Sequence, residues 1–305
     1  MSTQPVVAAV DGSDDSLRAL EWAVDAARRR AAPLRVVHVR QYAAWGQPEV
    51  LAAGPPAPEE DPVLDLARVR LAGRTGLPAV DFVALDGAPG ALLPELGATA
   101  QLLVLGSRGR GGFASLLLGS NSLAAARDAE CPVVVVPRPG RGPETGTDTP
   151  AGTDKDGPFV VVGLNVDSPD EATLAHAFDE AALRDARLRI VAAYPWPPQT
   201  WMLPGEMPAP QIDQGAVEHE SRTLARGCLA PHRERHPGVV AEILVLPGDA
   251  AGHLVAASEN AELVVVGRHR RRLLAPARMM GSVTQAVLLH AAGPVAVVPP
   301  APPEE

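Results

Sequence analysis

Lysine is nearly absent from this sequence. Lys155 is the only one, and the remaining basic residues are arginines. A P-loop needs G-x-x-x-x-G-K-[ST], so that phosphate-binding motif is excluded. Cysteine is almost as scarce. Cys131 and Cys228 fall in different halves with no CxxC, a usage that fits a reducing compartment. No apolar run approaches the ~20 residues a bilayer span requires. The opening MSTQPVVAAVDGS has no basic n-region and passes straight into a strand, so no secretory leader and no membrane partner are expected, and the cytoplasm is the default. Aromatic residues are few, and the formal net charge of −9 argues against non-specific nucleic-acid binding as the main activity. The abundance of Ala, Pro, Gly and Arg reads as genomic base bias. Catalytic motifs are missing too: there is no GxSxG elbow, no HExxH and no Cys/His pair placed by a motif.

What is present is an alternation of strands and helices. A length of 305 residues suits two domains, each with its own core. Pro5 to Val10 is an apolar strand ended by Asp11-Gly12-Ser13. Ser13 is a good N-cap, with Asp14 and Asp15 in the first turn where the helix dipole favours acids. Leu17, Leu20, Val24 and Ala27 recur at helical spacing to about Arg30. Leu34 to Val39 is a second strand, followed by a long Gly/Pro/Ala loop from Tyr42 to Pro62. A short helix over Asp65 to Thr75, a strand over Val80 to Leu85 and a helix from Gly90 to about Ala100 follow, with Pro94 expected near that helix's first turn. The fourth strand is Leu102 to Leu105, and Val133 to Val136 is the fifth. The order βαβαβαβαβ predicts a parallel, doubly wound α/β sheet. Ligands in such sheets bind at the carboxyl ends of the strands, where both Asp11 and Gly106 fall.

The most informative stretch is Leu102 to Ser122, LLVLGSRGRGGFASLLLGSNS: a buried strand, a glycine-rich loop and the start of a helix. Glycine permits close backbone approach and positive φ, and a helix N-terminus offers free N–H groups and a dipole that favour an anion. A Rossmann fingerprint would follow the first strand of a unit, but Gly109-Arg110-Gly111 follows the fourth.

The second half repeats the first. At a constant register of 154, Leu20 falls on Leu174, Val24 on Phe178, Leu34 on Leu188 and Val37 on Val191. Domains are therefore expected at residues 1–138 and 159–300. Between them lies a flexible linker, residues 139–158, of Gly, Pro, Thr and charge. A loop at Pro195 to Pro210 replaces the first half's long loop, and Ile212 to Arg235 is a fuller second helix.

The spacing G-x2-G-x9-G-S at Gly106, Gly109, Gly119 and Ser120 resembles the nucleotide loop of the universal stress protein family. VDGS at Val10 to Ser13, Trp22-Ala23, LRVVHV at Leu34 to Val39, VLGSRGRGG at Val104 to Gly112 and CPVVVVP at Cys131 to Pro137 complete the resemblance. Both halves are similar to domains of that family, and together they resemble its tandem members. The resemblance implies two five-stranded sheets of order 3-2-1-4-5, packed as an intramolecular pseudo-dimer through their last strands, with room for a further homodimer. It also implies an adenine nucleotide as the ligand, ATP foremost, with AMP and a cyclic nucleotide as the alternatives. Adenine would lie between the first two strand ends, at Val10, Asp11, Gly12 and the backbone of Val39. The ribose would lie near Asp11, and the phosphates at Gly106, Arg108, Gly109, Gly119, Ser120, Asn121 and Ser122. Ser120 and Ser122 would add hydroxyl donors, and Arg108 and Arg110 would supply the charge of the missing lysine. Asp11 could help to hold Mg²⁺, but no second carboxylate is visibly placed, so any hydrolysis is expected to be slow and incidental.

The second half departs from the pattern. Asn165 stands for Asp11, Val166 for Gly12 and Arg270 for Gly109, and the register slips from 161 at Gly106/Gly267 to 162 at Gly119/Gly281. The loop GRHRRRLLAPARMMGS is bulky and basic, and reads either as an anion site or as a solvated surface. ATP is therefore expected in the first half only. The functional expectation is a stress-response sensor or switch. The alternatives are a slow ATPase or nucleotidyl-transfer enzyme of the same fold, and a scaffold that binds no nucleotide. His232 and His236, i and i+4 on a helix, have no third ligand in register and read as a wet surface pair. Cys131 reads as a small apolar residue at a helix end.

Overall fold

A computed structural model describes residues 4–41, 61–109, 117–140, 157–194, 213–268 and 280–301. Most of the loop from Tyr42, Arg110 to Gly112, the loop from Pro195, and the 269–279 segment with Arg270 and Met279 lie outside them.

The first half runs β1 (Val6–Ala9), α1 (Asp14–Arg29), β2 (Leu34–Arg40), α2 (Pro62–Leu71), β3 (Val80–Asp86), α3 (Pro89–Glu95), β4 (Leu102–Gly106), α4 (Ser120–Asp128) and β5 (Val133–Val136). The second runs β6 (Phe159–Leu164), α5 (Glu171–Arg184), β7 (Arg187–Tyr194), α6 (Gln214–Arg235), β8 (Ala241–Pro247), α7 (Ala250–Ala257), β9 (Leu263–Gly267), α8 (Ser282–His290) and β10 (Val295–Val298). Helix α1 begins as its sequence dictates: the Ser13 hydroxyl accepts the Ser16 N–H at 3.3 Å, and Asp14 and Asp15 fill the first turn. Helix α2 starts earlier than its apolar spacing suggests. Asp61 caps it by accepting the N–H groups of Val63 and Leu64 at 3.0 and 3.1 Å, and Pro62 takes the first position. Pro94 lies inside α3 and not in its first turn, and the chain tightens into a 3₁₀ turn at Leu96–Thr99. Proline has no N–H for the carbonyl four residues back, so the helix cannot continue regularly past it.

The ten strands among the described residues join one sheet of order β3-β2-β1-β4-β5-β10-β9-β6-β7-β8. Within each half the pairing is parallel, in the order 3-2-1-4-5. The halves meet where β5 and β10 pair antiparallel, with Val135 opposite Val295, Val134 opposite Ala296 and Val133 opposite Val297. The centre of this pairing is a pseudo-two-fold axis. One apolar cluster covers each face and crosses the join. The first contains Leu20, Leu34, Phe178 and Leu188, and the second contains Leu103, Val135, Val264 and Val295. The residues paired by the repeat are thus buried in both halves, as expected of a sheet covered by helices on both faces.

A charged cluster bridges the halves beside this core. Glu180 on α5 is fully buried and pairs with both Arg184 and Arg30, the residue that ends α1. Arg30 and Arg184 occupy the same position in the repeat, whereas Ala26 is the first half's counterpart of Glu180. Burial lowers Arg30 and Arg184 to about 10, and neighbouring arginines add to the effect, Arg184 on Arg30 and Arg29 on Arg184. His176, one turn before Glu180, is pushed down to about 3 by burial and by the same two guanidinium groups, so it is neutral. No helix among the described residues is long and apolar enough to cross a membrane.

Candidate functional site

The carboxyl ends of β1, β2 and β4, with the starts of α3 and α4, enclose a cleft of about 400 Å³. Its position follows from topology: β1 separates β2 from β4, so the chain leaves the sheet in opposite directions there and opens a crevice. Ala9, Val37, Val39, Leu93 and Leu105 make one part of the wall apolar. Asp11, Arg108, Gly109, Ser120, Asn121 and Ser122 make the other part polar. Of the residues expected to form the site, Val10, Asp11, Val39, Gly106, Arg108, Gly109, Gly119, Ser120, Asn121 and Ser122 all line this cleft. Gly12 does not. It makes the turn behind Asp11 with φ +79°, a conformation that suits glycine.

Asp11 is held by its own turn. Its Oδ1 accepts the backbone N–H of Ser13 at 3.0 Å and the Ser13 hydroxyl at 2.6 Å, and its backbone N–H donates to Ser16 Oγ at 3.3 Å. Its Oδ2 lies against Gly109, with no room for a side chain there. Asp11 therefore presents a fixed acceptor at the cleft, and Ser13 both caps α1 and orients the carboxylate.

The glycines act through close approach and not through backbone strain. None of Gly106, Gly109 and Gly119 has the positive φ expected of a loop glycine. A Cβ at Gly106 would sit 2.6 Å from the Asp15 carbonyl carbon, so this glycine lets the first turn of α1 pack on the end of β4. Gly109 is the one whose missing side chain keeps the Asp11 carboxylate in place.

Helix α4 has Gly119 as its N-cap and so lacks a side-chain cap, which leaves the N–H groups of its first turn facing the cleft. Its position is set by backbone and side-chain ties: Gly119 N–H donates to Ser107 O at 2.8 Å, and the Ser122 hydroxyl donates to Gly106 O at 2.7 Å. The Ser122 proton is thus committed within the protein, and only its lone pairs face the cleft. The equivalent Thr284 makes the same 2.7 Å bond to Gly267 O, so this tie belongs to the fold. Beneath the loop, buried Asp15 pairs with Arg18 and accepts from Arg138 Nε at 2.9 Å and from Ser107 Oγ at 3.3 Å. Asp15 is therefore occupied and turned away from the cleft.

Sequence reasoning missed Ser13, Gln41, Pro89 and Leu93. Pro89 and Leu93 come from α3, whose apolar side faces the cleft, and their i, i+4 spacing was the available signal. His232 is also corrected. It is fully buried, stacked on Phe178 with ring centroids 5.3 Å apart, and its Nε2 lies 3.1 Å from Glu171 Oε1. Its spacing from buried Ala225 and Leu229 places it on the inner face of α6, so it is no wet surface residue. Cys131 is buried, and burial pushes its thiol up to about 12.

The second half builds this region differently. Asn165 Oδ1 accepts the N–H of Asp167 at 3.1 Å, and Asn165 O accepts that of Ser168 at 3.3 Å, closing a local turn. Ser168 is in register with Asp14, yet α5 begins only at Glu171, with Asp170 as its cap. Beside Gly267, the Asp170 and Thr173 side chains fill the space where α1 places its backbone against Gly106.

A duplicated, doubly wound α/β domain with a part polar, part apolar cleft at its strand ends defines the architectural class of this chain. The model of the universal stress protein family matches residues 2–137 and again 160–299. A universal stress protein of Mycobacterium tuberculosis is 34% identical over 300 residues, covering 96% of each chain. A second from the same organism is 30% identical over 314 residues, covering 97% of this chain and 96% of its own. The crystal structure of a universal stress protein from Archaeoglobus fulgidus superposes with a TM-score of 0.61 over 99% of this chain and 98% of its own at 16% identity, a likeness of fold. The chain belongs to the universal stress protein family, as a member with two tandem domains.

Proposed function

We propose that this protein is a nucleotide-responsive regulator of the stress response, holding one adenine nucleotide, ATP foremost, in the cleft of its first half and working in the cytoplasm. The observation that carries this reading is the cleft's division into two chemistries. An apolar slot between β2 and α3, lined by Val37, Val39 and Leu93, suits a flat base. Asp11, with an oriented carboxylate, suits ribose hydroxyls. The uncapped first turn of α4, together with Arg108 and Ser120, suits phosphate oxygens. Asp15, the carboxylate beneath the same loop, is committed to arginines, which favours binding with slow or no hydrolysis over an ATPase role. Binding would act by ordering the cleft's surroundings and changing a surface that a partner reads.

The second half lacks the oriented carboxylate and the early helix start, which supports one site per chain. The test is mass spectrometry of small molecules released from the purified, denatured protein, followed by calorimetric titration with ATP and AMP. One adenine nucleotide per chain is expected. Retention and binding of no adenine compound would overturn the reading, and two equivalent sites would overturn its asymmetry.

A further inference from the structure

The join between the halves carries a contact that the cleft itself does not explain. Because β5 and β10 pair antiparallel, the second half is turned end for end. The carboxyl end of β9 therefore lies at the opposite end of the sheet from the cleft. The C-terminus of α4 points to that same end, since α4 runs back along the sheet from its start in the cleft.

Arg268 is the first residue after β9. Its backbone N–H donates to Val298 O at 2.7 Å, which fixes it to β10. Its Nη1 crosses the join and donates to the carbonyls of Arg127 at 2.6 Å and Ala129 at 2.8 Å. These residues are in the last turn and at the C-cap of α4, where carbonyls lack intrahelical partners and the helix carries partial negative charge. A guanidinium is suited to this place, having several fixed donors and a permanent charge.

The contact is one-way. Arg268 follows Gly267 as Ser107 follows Gly106, but the Ser107 hydroxyl turns inward to Asp15 at 3.3 Å. The second half thus has an arginine at a position where the first half has a short side chain, and that arginine serves the first half's helix.

We propose that Arg268 is a positioning residue for the nucleotide site of the first half, supplied in the same chain by the second. The proposal rests on the nucleotide reading above. Helix α4 is nine residues, roughly 14 Å long at 1.5 Å per residue, so a tether at one end sets the tilt at the other. Its first turn is tied by Gly119 to Ser107 and by Ser122 to Gly106, and its last turn is tied by Arg268. With both ends held, the N–H groups of the first turn meet phosphate oxygens without rearrangement. The effect falls on phosphates and not on the base or ribose, which other elements hold.

The test compares the full-length protein with Arg268→Ala and Arg268→Lys in calorimetric titrations with ATP and adenosine. Hydrogen exchange of residues 120–129 is followed in the unliganded proteins. Arg268→Ala is expected to weaken ATP by about threefold to tenfold, to leave adenosine within about twofold, and to speed exchange in α4, while Arg268→Lys recovers much of the ATP affinity. Unchanged ATP affinity in Arg268→Ala, equal losses for ATP and adenosine, or a lysine variant no better than alanine would overturn the proposal. If Arg268→Ala does not fold, Arg268→Met takes its place, and an ATP-to-adenosine affinity ratio unchanged from the unaltered protein overturns the proposal. Failure of the unaltered protein to bind either probe would be a different result, overturning the nucleotide reading itself.

Discussion

Gly109 sits so close to Asp11 that a Cβ built on it would overlap the Asp11 carboxylate oxygen Oδ2. The two residues come from different strand ends, and their contact closes the polar side of the cleft. Even alanine at 109 must push the carboxylate away from the direction Ser13 gives it. Gly109→Ala is expected to weaken adenine-nucleotide binding by at least about tenfold, the value of one displaced charge-assisted hydrogen bond. Gly109→Arg, which copies Arg270, should abolish it. Calorimetry reads the affinity, and an unchanged urea midpoint separates the effect from unfolding.

Glu180 is the second point of attack. Its carboxylate stands between Arg30 across the join and Arg184 within its own helix, pairing with both, and all three side chains are largely buried. Glu180→Ala leaves two buried guanidinium groups facing each other and is expected to destabilise the chain by about 3–5 kcal/mol. Replacing Arg30, Glu180 and Arg184 together with methionine is expected to be far milder, because no charge is left unpaired. Urea unfolding of both variants measures the difference.

Asp61 offers a pH-dependent prediction. Burial alone would raise its carboxyl, but His38 at 2.7 Å and the capped N–H groups of Leu64 and Val63 outweigh this and hold it below its ordinary 3.8. A carboxylate with a lowered folded pKa contributes stability above its unfolded pKa and loses it as pH falls through the folded value. Asp61→Ala is expected to cost about 1–2 kcal/mol at neutral pH, the usual size of an N-cap. The gap from the unaltered protein should narrow below about pH 4, as denaturation measured across that range would show.

The two thiols should differ in reactivity. Cys131 is buried with its thiol pushed up to about 12, whereas Cys228 is half-buried. Since the thiolate is the reactive form, iodoacetamide at pH 8 is expected to modify Cys228 and spare Cys131 until the protein is denatured. Intact-mass and peptide analysis reads both states.

Much of this molecule is legible from its residues. The repeat placed Leu20 with Leu174 and Leu34 with Leu188, and each pair is buried because one hydrophobic pattern builds one fold twice. Asp11 and the glycine spacing located the cleft, since strand ends are where such sheets bind ligands. What escaped depends on contacts between distant segments. The reason for Gly106 lies in the first turn of α1, not in its own loop. The contribution of Leu93 to the cleft and the burial of His232 both depend on which helix face turns inward. The start of α2 escaped because a polar cap and a proline, outside the apolar pattern, decide it.

The arrangement at Glu180 bears on which partner each half can accept. The pseudo-two-fold axis brings equivalent positions together, so a first half joined to a copy of itself would set Arg30 against Arg30. Ala26 would stand where the acid is needed. Such a pairing would bury two like charges with nothing between them. The acid that resolves this conflict is carried by the second half alone. A first half is therefore a poor partner for another first half, and one side chain makes a second half the partner it accepts.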